Sequence, residues 1–457
     1  MAEIRVTSGR DGMVRVSAGR LSYDDEAAPG PDFTRAVLEV AGALLVWPVL
    51  GEPGPPVAEV HDVERAQQWL WALYGEEVAV AVQEAQAAQA APEAQEGSPV
   101  RELTIPPTAL AHSAARLAFG HWAARWWPAS YTDGIGELEP GVLGLELAAL
   151  THECQELFAD SDDFGDVDDF SGFSGFSGFH DSAADLIEEH EAALDPLIQW
   201  WRTATPQPTA TTRHLDHVLR LIDDAADSAG LDGPALRRLR SALDQEQGPS
   251  LATAPVDPGT LFARQGGYAL AAGAPSSAGD RVIARGSGTN DWRRYPPGFV
   301  DAAEDAVSWT ARALGARRQI EVEVVAHVTA PVSGVPLVAE VLVDGGRPNR
   351  VPLDRRDDVW TGRGDLDLGP GPELSVATAT PHIEVGVLLP GFDPGHGPGD
   401  RTDRDAVREL VRRRLTEAAR AQQVTDAAQL PPHTGPDTRM PPFLAETLAA
   451  AATEEDY

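Results

Sequence analysis

Three side chains that could do chemistry occupy matching places in three consecutive predicted helices. His121, Cys154 and His190 each fall within the apolar stripe of a helix, predicted over 108–127, 142–158 and 182–201. If these helices share one core, a thiol and two imidazoles converge there, as in a nucleophile pair or a metal site. Cysteine and histidine are also ordinary core residues, so simple packing is the competing interpretation of this catalytic candidate.

An acidic run over 160–171 resembles a calcium-binding loop in part. Asp160, Asp162 and Asp168 occupy positions one, three and nine of a loop of the EF-hand kind. Position five is Phe164 and position twelve is Ser171, where a glutamate normally supplies two oxygen ligands. The missing ligands predict weak cation binding at most, and no specific metal site.

A Ser-Gly-Phe triplet follows the acidic run and is repeated three times, at Phe173, Phe176 and Phe179. Glycine at every third position disfavours both helix and strand. One interpretation is a solvated insert between two helices that grew by local duplication. The other is a tether on which repeated aromatic rings bind a partner, because repeated weak contacts raise avidity.

A further group of aromatic and cationic residues lies on a predicted loop at Trp292, Arg293, Arg294 and Tyr295. The segment is glycine-rich and lacks the spacing of a phosphate-binding loop, and the chain contains no lysine to complete one. The loop is either a turn held by arginine–aromatic stacking and the two prolines that follow, or a recognition surface for a partner.

The remaining histidine motifs are incomplete as metal sites. The segment "HECQE" at 152–156 resembles the first half of a zinc-protease helix, but Glu156 stands where the second histidine belongs. His214 and His217 lie one turn apart on a predicted helix, and flanking arginines favour a surface pair over a metal clamp. We expect no bound cofactor.

Composition restricts the class of partner. The chain has 457 residues, a formal net charge of −35, and 36 basic residues that are all arginine. Such a charge disfavours binding to nucleic acid or to an anionic membrane and favours a partner with a basic surface. The single cysteine predicts a reducing compartment, and the N-terminus has no apolar signal core, so we expect a cytoplasmic protein. The lysine-free, alanine- and glycine-rich composition is typical of a high-GC bacterium.

The pattern along the chain predicts a multidomain α+β protein. We expect a small mixed α/β domain at 1–84, a linker or exposed insert at 85–99, a helical bundle at 100–250 with an acidic Gly/Phe-rich loop at 159–181, an antiparallel β-rich domain at 260–392, and a C-terminal helix with a Pro-rich acidic tail at 400–457. The β-rich domain is expected to be sandwich-like with one flanking helix.

Several local predictions can be compared with the structure directly. The first 21 residues predict two strands joined by a turn, and 76–82 alternates as a strand does. The segment 301–315 predicts the flanking helix, with Asp301 and Glu304 at its start and Gly315 at its end. Asp62 and either Asp181 or Ser182 are expected to cap helices.

From these patterns we predict a non-catalytic interaction or adaptor protein that acts through protein–protein contacts. The alternative is a metal- or thiol-dependent hydrolase with its site in the helical bundle at His121, Cys154 and His190. The sequence does not fix an oligomeric state.

Overall fold

The protein is described here by a computed structural model. It describes residues 2–9, 13–18, 32–51, 54–90, 101–158, 182–203, 209–245, 258–262, 281–314, 317–327, 330–331, 334, 336–366, 382–392, 400–423 and 440–454. The fold is α+β, as the sequence predicts, with antiparallel sheets and many helices. Two compact units are formed: 1–124, 138–262 and 413–451 make the first, and 125–137, 263–412 and 452–457 make the second.

The first unit contains a six-stranded antiparallel sheet. Its strands are β1 (Ala2–Ser8), β2 (Val14–Ala18), β3 (Arg35–Val40), β4 (Ala43–Pro48), β5 (Val57–Val60) and β6 (Arg101–Ile105), in the order β3-β4-β5-β2-β1-β6. The predicted N-terminal strand pair is confirmed, because β1 and β2 pair antiparallel with Val6 opposite Val16. Both valines point into the core of this unit.

Two helices pack against this sheet, α1 (Val63–Tyr74) and α2 (Glu76–Ala90). The predicted cap Asp62 is confirmed, since its carboxylate accepts a hydrogen bond from the backbone of Arg65 at 3.1 Å. The prediction of a strand at 76–82 is wrong, because these residues form the first half of α2. A short apolar alternation does not distinguish a strand from a helix, and the alanines and glutamines that continue to residue 90 favour the helix.

The helical part of the first unit begins with α3 (Ala109–Trp126) and α4 (Pro140–Glu153). It continues with α5 (Ala183–His190), α6 (Leu194–Thr203), α7 (Ala210–Ser228), α8 (Pro234–Gln245) and the short α9 (Pro258–Phe262). The apolar stripe predicted for α4 is buried, but so is the rest of this helix from Val142 to Leu150. A helix buried on every side lies at the centre of a bundle.

The single helix predicted over 182–201 is two helices. A 3-10 turn at Glu191–Ala193 separates α5 from α6. A proline within a predicted helix commonly causes a kink, but here the break lies three residues before Pro196. Pro196 then lies in the first turn of α6, where its missing N–H leaves no hydrogen bond unmade. Ser182 caps α5 with a reciprocal bond to Asp185, which confirms one of the two predicted caps.

The described residues of the second unit form two antiparallel sheets. The five-stranded sheet has the order β12-β13-β9-β8-β7, and the three-stranded sheet has the order β11-β10-β14. The strands are β7 (Arg281–Ser287), β8 (Val307–Leu314), β9 (Arg317–Val325), β10 (Val338–Val343), β11 (Asn349–Pro352), β12 (Asp354–Arg356), β13 (Val359–Asp365) and β14 (Ile383–Leu388). The sheets meet where Gly362 and Gly364 approach Val351 closely, with no room for a side chain at either glycine.

The flanking helix predicted over 301–315 is wrong. Its second half is strand β8, in which Val307, Trp309 and Ala311 are buried and the residues between them face outward. Asp301 does not cap a helix. Its buried carboxylate accepts hydrogen bonds from the Ser130 hydroxyl at 2.7 Å and from the backbone N–H of Tyr131 at 2.8 Å.

Near the C-terminus, the predicted helix is present as α10 (Asp400–Gln423). The predicted acidic tail contains a further helix that the sequence analysis missed, α11 (Leu444–Glu454), which is buried over Leu444–Ala450. An alanine-rich helix can be buried on all sides, and its one charge in this stretch, Glu446, is paired with Arg414. Among the described residues, no helix is long and apolar enough to cross a membrane.

The predicted domains distribute between the two units. The mixed segment 1–84 and the helical segment 100–250, apart from 125–137, fall in the first unit, and 263–392 falls in the second. Residues 85–90 of the predicted linker complete α2. The rest of that linker, residues 367–381 of the predicted β-rich domain and the loop at 159–181 lie outside the described residues.

Candidate functional site

The Cys154 thiol lies at the C-terminal end of α4. Its side chain is 0% exposed, and its backbone N–H donates to the Leu150 carbonyl at 2.9 Å. Burial raises the pKa of the thiol, and the nearby Glu153 carboxylate raises it further. Because the thiolate is the nucleophile, this environment favours the inert form of the side chain.

One of the two histidines predicted to join Cys154, His190, lies elsewhere along the bundle. The His190 ring packs directly over Gly144, ten residues before Cys154 and thus about 15 Å away along α4. His121 follows Gly120, where α3 meets Leu147. Burial lowers the pKa of His121 to about 4. The structure therefore does not bring His190 to the thiol, and the hydrolase remains a prediction.

A buried cluster of titratable groups that the sequence analysis missed lies in the helical core. Glu146, in the middle of α4, is 1% exposed, and its Oε1 lies 2.7 Å from His214 Nε2 and 3.5 Å from Arg116 Nη2. Arg116 Nη2 is in turn 2.9 Å from the same imidazole nitrogen. One signal was present in the sequence, since Glu146 interrupts the apolar run "GVLGLELAAL".

The second oxygen of Glu146 binds the start of α11. Oε2 accepts the backbone N–H of Leu444 at 2.7 Å and that of Ala445 at 3.3 Å. A carboxylate at a helix N-terminus satisfies free N–H groups and interacts favourably with the helix dipole. Nearby, Arg414 forms a two-pronged ion pair with the buried Glu446. Through these contacts the cluster anchors the start of α11 to the helical core of the first unit.

His112 lies one helical turn before Arg116 on α3 and is influenced by it. Burial and, secondly, the Arg116 charge lower the pKa of His112, while Glu153 opposes them. His214, which sequence reasoning considered with His217, is instead paired to Glu146, and His217 is exposed. Among the described residues no group of three or more His, Cys, Asp or Glu side chains is arranged to hold a metal ion.

The loop from Trp292 to Tyr295 faces the interior of the second unit. All four side chains are at most 5% exposed. Arg293 pairs through two hydrogen bonds with Asp291, two residues earlier, and the Trp292 indole donates to the Trp126 carbonyl at 3.1 Å.

The same loop is held at its other end. The Tyr295 hydroxyl donates to Asn290 Oδ1 at 2.6 Å, and Arg294 lies 3.4 Å from Glu340. The Arg408 guanidinium of α10 stacks 4.7 Å from the Trp292 ring centre. This arrangement is the arginine–aromatic turn that was one of the two interpretations. A partner could reach these side chains only if the loop opened, so partner binding here stays a prediction.

An exposed aromatic residue stands on the outer side of α1. Trp71 is 58% exposed, and its indole nitrogen donates to the Gln68 carbonyl of its own helix at 3.0 Å. Val80 on α2 is 40% exposed. Exposed glutamates of the same two helices include Glu64, Glu76 and Glu77. We call these five residues the acidic helical face. The spacing of apolar residues along α1 already separates Trp71 from the residues that are buried in this helix.

The remaining sequence candidates cannot be placed. Their residues are Asp160, Asp162, Asp168, Phe173, Phe176 and Phe179, and all six lie outside the described residues.

Comparison of the chain with protein-family models, with curated proteins and with solved structures gives no significant match. The residues and their contacts are therefore the basis for assigning a function.

Proposed function

We propose that the protein acts by binding another protein, and that the acidic helical face is the contact surface. The observation that carries this proposal is the exposure of Trp71, whose indole is 58% accessible on a well-formed helix. Tryptophan contributes more binding energy at protein interfaces than most residues, and it is costly to leave in water. Buried neighbours such as Trp69 and Tyr74 show that α1 uses its other aromatic residues for packing.

The charge of the face and of the whole chain supports a partner with a basic surface. Glu64 on α1 and Glu76 and Glu77 on α2 are exposed on the same two helices as Trp71 and Val80, and they carry negative charge. The formal net charge of −35 extends the attraction beyond the contact itself. Such charge increases the association rate with a basic partner and disfavours acidic ones.

The test is affinity purification from the source organism with matched variants. Trp71→Ser removes the proposed anchor, and Tyr131→Ser removes an aromatic residue of similar exposure, 47%, from the second unit. We expect a basic protein that is retained by the wild type and by Tyr131→Ser, and lost with Trp71→Ser. Equal retention by both variants would contradict the acidic helical face as the contact surface.

The competing function is a metal- or thiol-dependent hydrolase that uses His121, Cys154 and His190. The burial of Cys154 and the distance of His190 along α4 support binding over this chemistry. Thiol labelling tests it: we expect slow reaction of Cys154 in the native protein and fast reaction in denaturant. Fast native labelling, or stoichiometric metal retained after dialysis against a chelator, would favour the hydrolase.

We also propose a cytoplasmic location in a high-GC bacterium, which rests on composition. The lone cysteine supports a reducing compartment, and the lysine-free sequence supports the source.

A further inference from the structure

The strand β3 forms one edge of the six-stranded sheet. Among the described residues β3 pairs with β4 alone, over six opposed residue pairs without a bulge. Opposed residues of an antiparallel pair alternate between those that exchange backbone hydrogen bonds and those that do not. Thr34 is of the first kind, because its carbonyl accepts the N–H of Val49 at 2.9 Å. The backbone groups of Arg35, Val37 and Glu39 therefore point away from β4, and we call these three residues the β3 edge.

The strand that carries this edge is held at both ends. Just before it, the Phe33 carbonyl accepts the indole N–H of Trp122 at 2.6 Å. Just after it, the Ala41 N–H donates to the Leu157 carbonyl at 2.9 Å. Edge strands are commonly protected from pairing by a proline, a bulge or a very short length, and β3 has none of these. A fixed, extended strand also loses little conformational freedom when a second strand pairs with it.

A row of valines crosses the outer face of the sheet and ends at the β3 edge. Val37 lies opposite Val46 of β4, and Val46 lies opposite Val57 of β5. Side chains alternate across a strand, so these valines lie on the face opposite to the buried Leu38 and Leu45. All three valines are partly exposed. Apolar side chains grouped on a surface and bordered by polar residues are typical of interaction sites.

Charged residues of both signs border this row. On the outer face of strands β2 to β5 the charged side chains are Arg35, Glu39, Glu59 and Arg15. Glu59 pairs with Arg15 at 2.8 Å. Arg35 forms no ion pair with a described residue, and Glu39 is exposed. Because Arg35 lies two residues before Val37 and Glu39 two residues after it, the β3 edge carries opposite charges at equal distances from its centre.

We propose that β3 pairs antiparallel with β3 of a second copy of the chain, about a two-fold axis at Val37. In this register Arg35 of each copy lies opposite Glu39 of the other, and the two Val37 side chains are neighbours. Each opposed pair exchanges two backbone hydrogen bonds, and the valine row continues from one copy into the next. The contact is the same on both copies, as in a closed symmetric dimer.

The charges of the edge select this register. The neighbouring symmetric registers place Arg35 opposite Val37 or opposite Ala41, where no carboxylate compensates it. Directly opposed residues of opposite charge stabilise a strand pair, and like charges destabilise it. Each copy has a formal net charge of −35, but charges are screened beyond about 8 Å at physiological ionic strength, so contacts at the edge dominate. The proposal is independent of the acidic helical face.

The experiment exchanges the two charges in the full-length chain. Arg35→Glu places two carboxylates opposite each other, and Glu39→Arg places two guanidinium groups opposite each other. The double variant with both changes restores opposite charges in reversed order. The matched control is Arg101→Glu, which changes an exposed arginine of β6 at the other edge of the same sheet. Circular dichroism verifies that each variant is folded.

Sedimentation velocity at about 0.15 M salt, where screening is strong, gives the result. We expect a concentration-dependent dimer for the wild type, the control, the double variant and Trp71→Ser. Each single variant should raise the dissociation constant of the dimer at least about tenfold, and an equimolar mixture of the two should restore the dimer. A monomeric wild type, or a double variant as weak as the single ones, overturns the proposal. Loss of the dimer in Trp71→Ser would place the contact on the acidic helical face and would also overturn it.

Hydrogen–deuterium exchange at high and low protein concentration gives a second readout. We expect the amides of β3 to exchange more slowly in the dimer, because those of the β3 edge then donate to the second copy. The amides of β6 should exchange equally in both conditions. A dimer that forms without slower exchange in β3 uses another surface, and it overturns the proposal.

Discussion

At the scale of single residues, the buried Glu146 carboxylate contacts several polar groups at once. One oxygen lies beside His214 and Arg116, and the other accepts the first N–H groups of α11. Removing one partner of a buried ion pair leaves the other charge uncompensated, at a cost of about 3–5 kcal/mol. We expect Glu146→Leu to lose this much free energy of unfolding, measured by urea titration with tryptophan fluorescence.

A double variant tests the reason for that loss. Glu146→Leu with Arg116→Met removes both charges, and it should recover part of the stability because no unpaired buried charge remains. If Glu146→Leu lowers the free energy of unfolding by less than about 1 kcal/mol, the cluster does not anchor α11.

His121 gives a prediction of pH dependence. Its ordinary pKa is 6.5, and burial lowers this pKa to about 4 in the folded state. Between these values the unfolded chain binds a proton that the folded chain does not, so stability falls as the pH drops from 6.5 toward 4. At pH 5 this contributes a loss of about 2 kcal/mol relative to pH 7.

The measurement compares unfolding free energies at pH 7 and pH 5 for wild type and His121→Gln. We expect the wild type to lose about 2 kcal/mol more than the variant over this interval. The comparison cancels the effect of the many carboxylates, which both proteins share. An equal loss in the two proteins contradicts the buried environment of His121.

At the scale of secondary-structure elements, the packing of α5 on α4 depends on a residue without a side chain. Alanine in place of glycine within an exposed helix stabilises it by about 1 kcal/mol. At Gly144 the new methyl group would overlap the His190 ring. Overpacking of this kind costs about 1–3 kcal/mol, so we expect Gly144→Ala to lower the urea midpoint.

The matched variant for this experiment is Gly144→Ala with His190→Ala. It removes the overlapping ring and should be more stable than the two single changes predict when their effects are added. If Gly144→Ala alone stabilises the protein, α5 does not pack on α4 as described.

At the scale of the whole molecule, the charge of −35 implies that the folded protein repels itself. Screening by salt reduces this repulsion more in the compact state, where the charges are closer together. We expect the melting temperature at pH 7 to rise when sodium chloride is increased from about 0.01 to 0.15 M, a change in Debye length from about 30 to 8 Å. The same addition near the isoelectric point, about pH 4.6, should have a smaller effect. A melting temperature that falls with salt at pH 7 would mean that attractive ion pairs dominate.

The sequence alone predicted those helices and strands whose structure depends on residues close together in the chain. Ile320, Val322 and Val324 alternate along β9, and all three are buried. The stripe of α4, the hairpin of β10 and β11, and the caps at Asp62 and Ser182 were also predictable, because each depends on residues close together in the chain.

Tertiary structure decided what short patterns leave ambiguous. Residues 76–82 and 307–314 alternate over too few residues to distinguish helix from strand. The first became helix because the residues that follow favour it, and the second became strand because it pairs with β7 and β9. The same holds for the candidate sites. A sequence gives the types of Glu146, Trp71 and Trp292, but their burial depends on distant segments such as α11, which starts 298 residues after Glu146. Long-range packing therefore turned the loop at Trp292 inward and left Trp71 exposed.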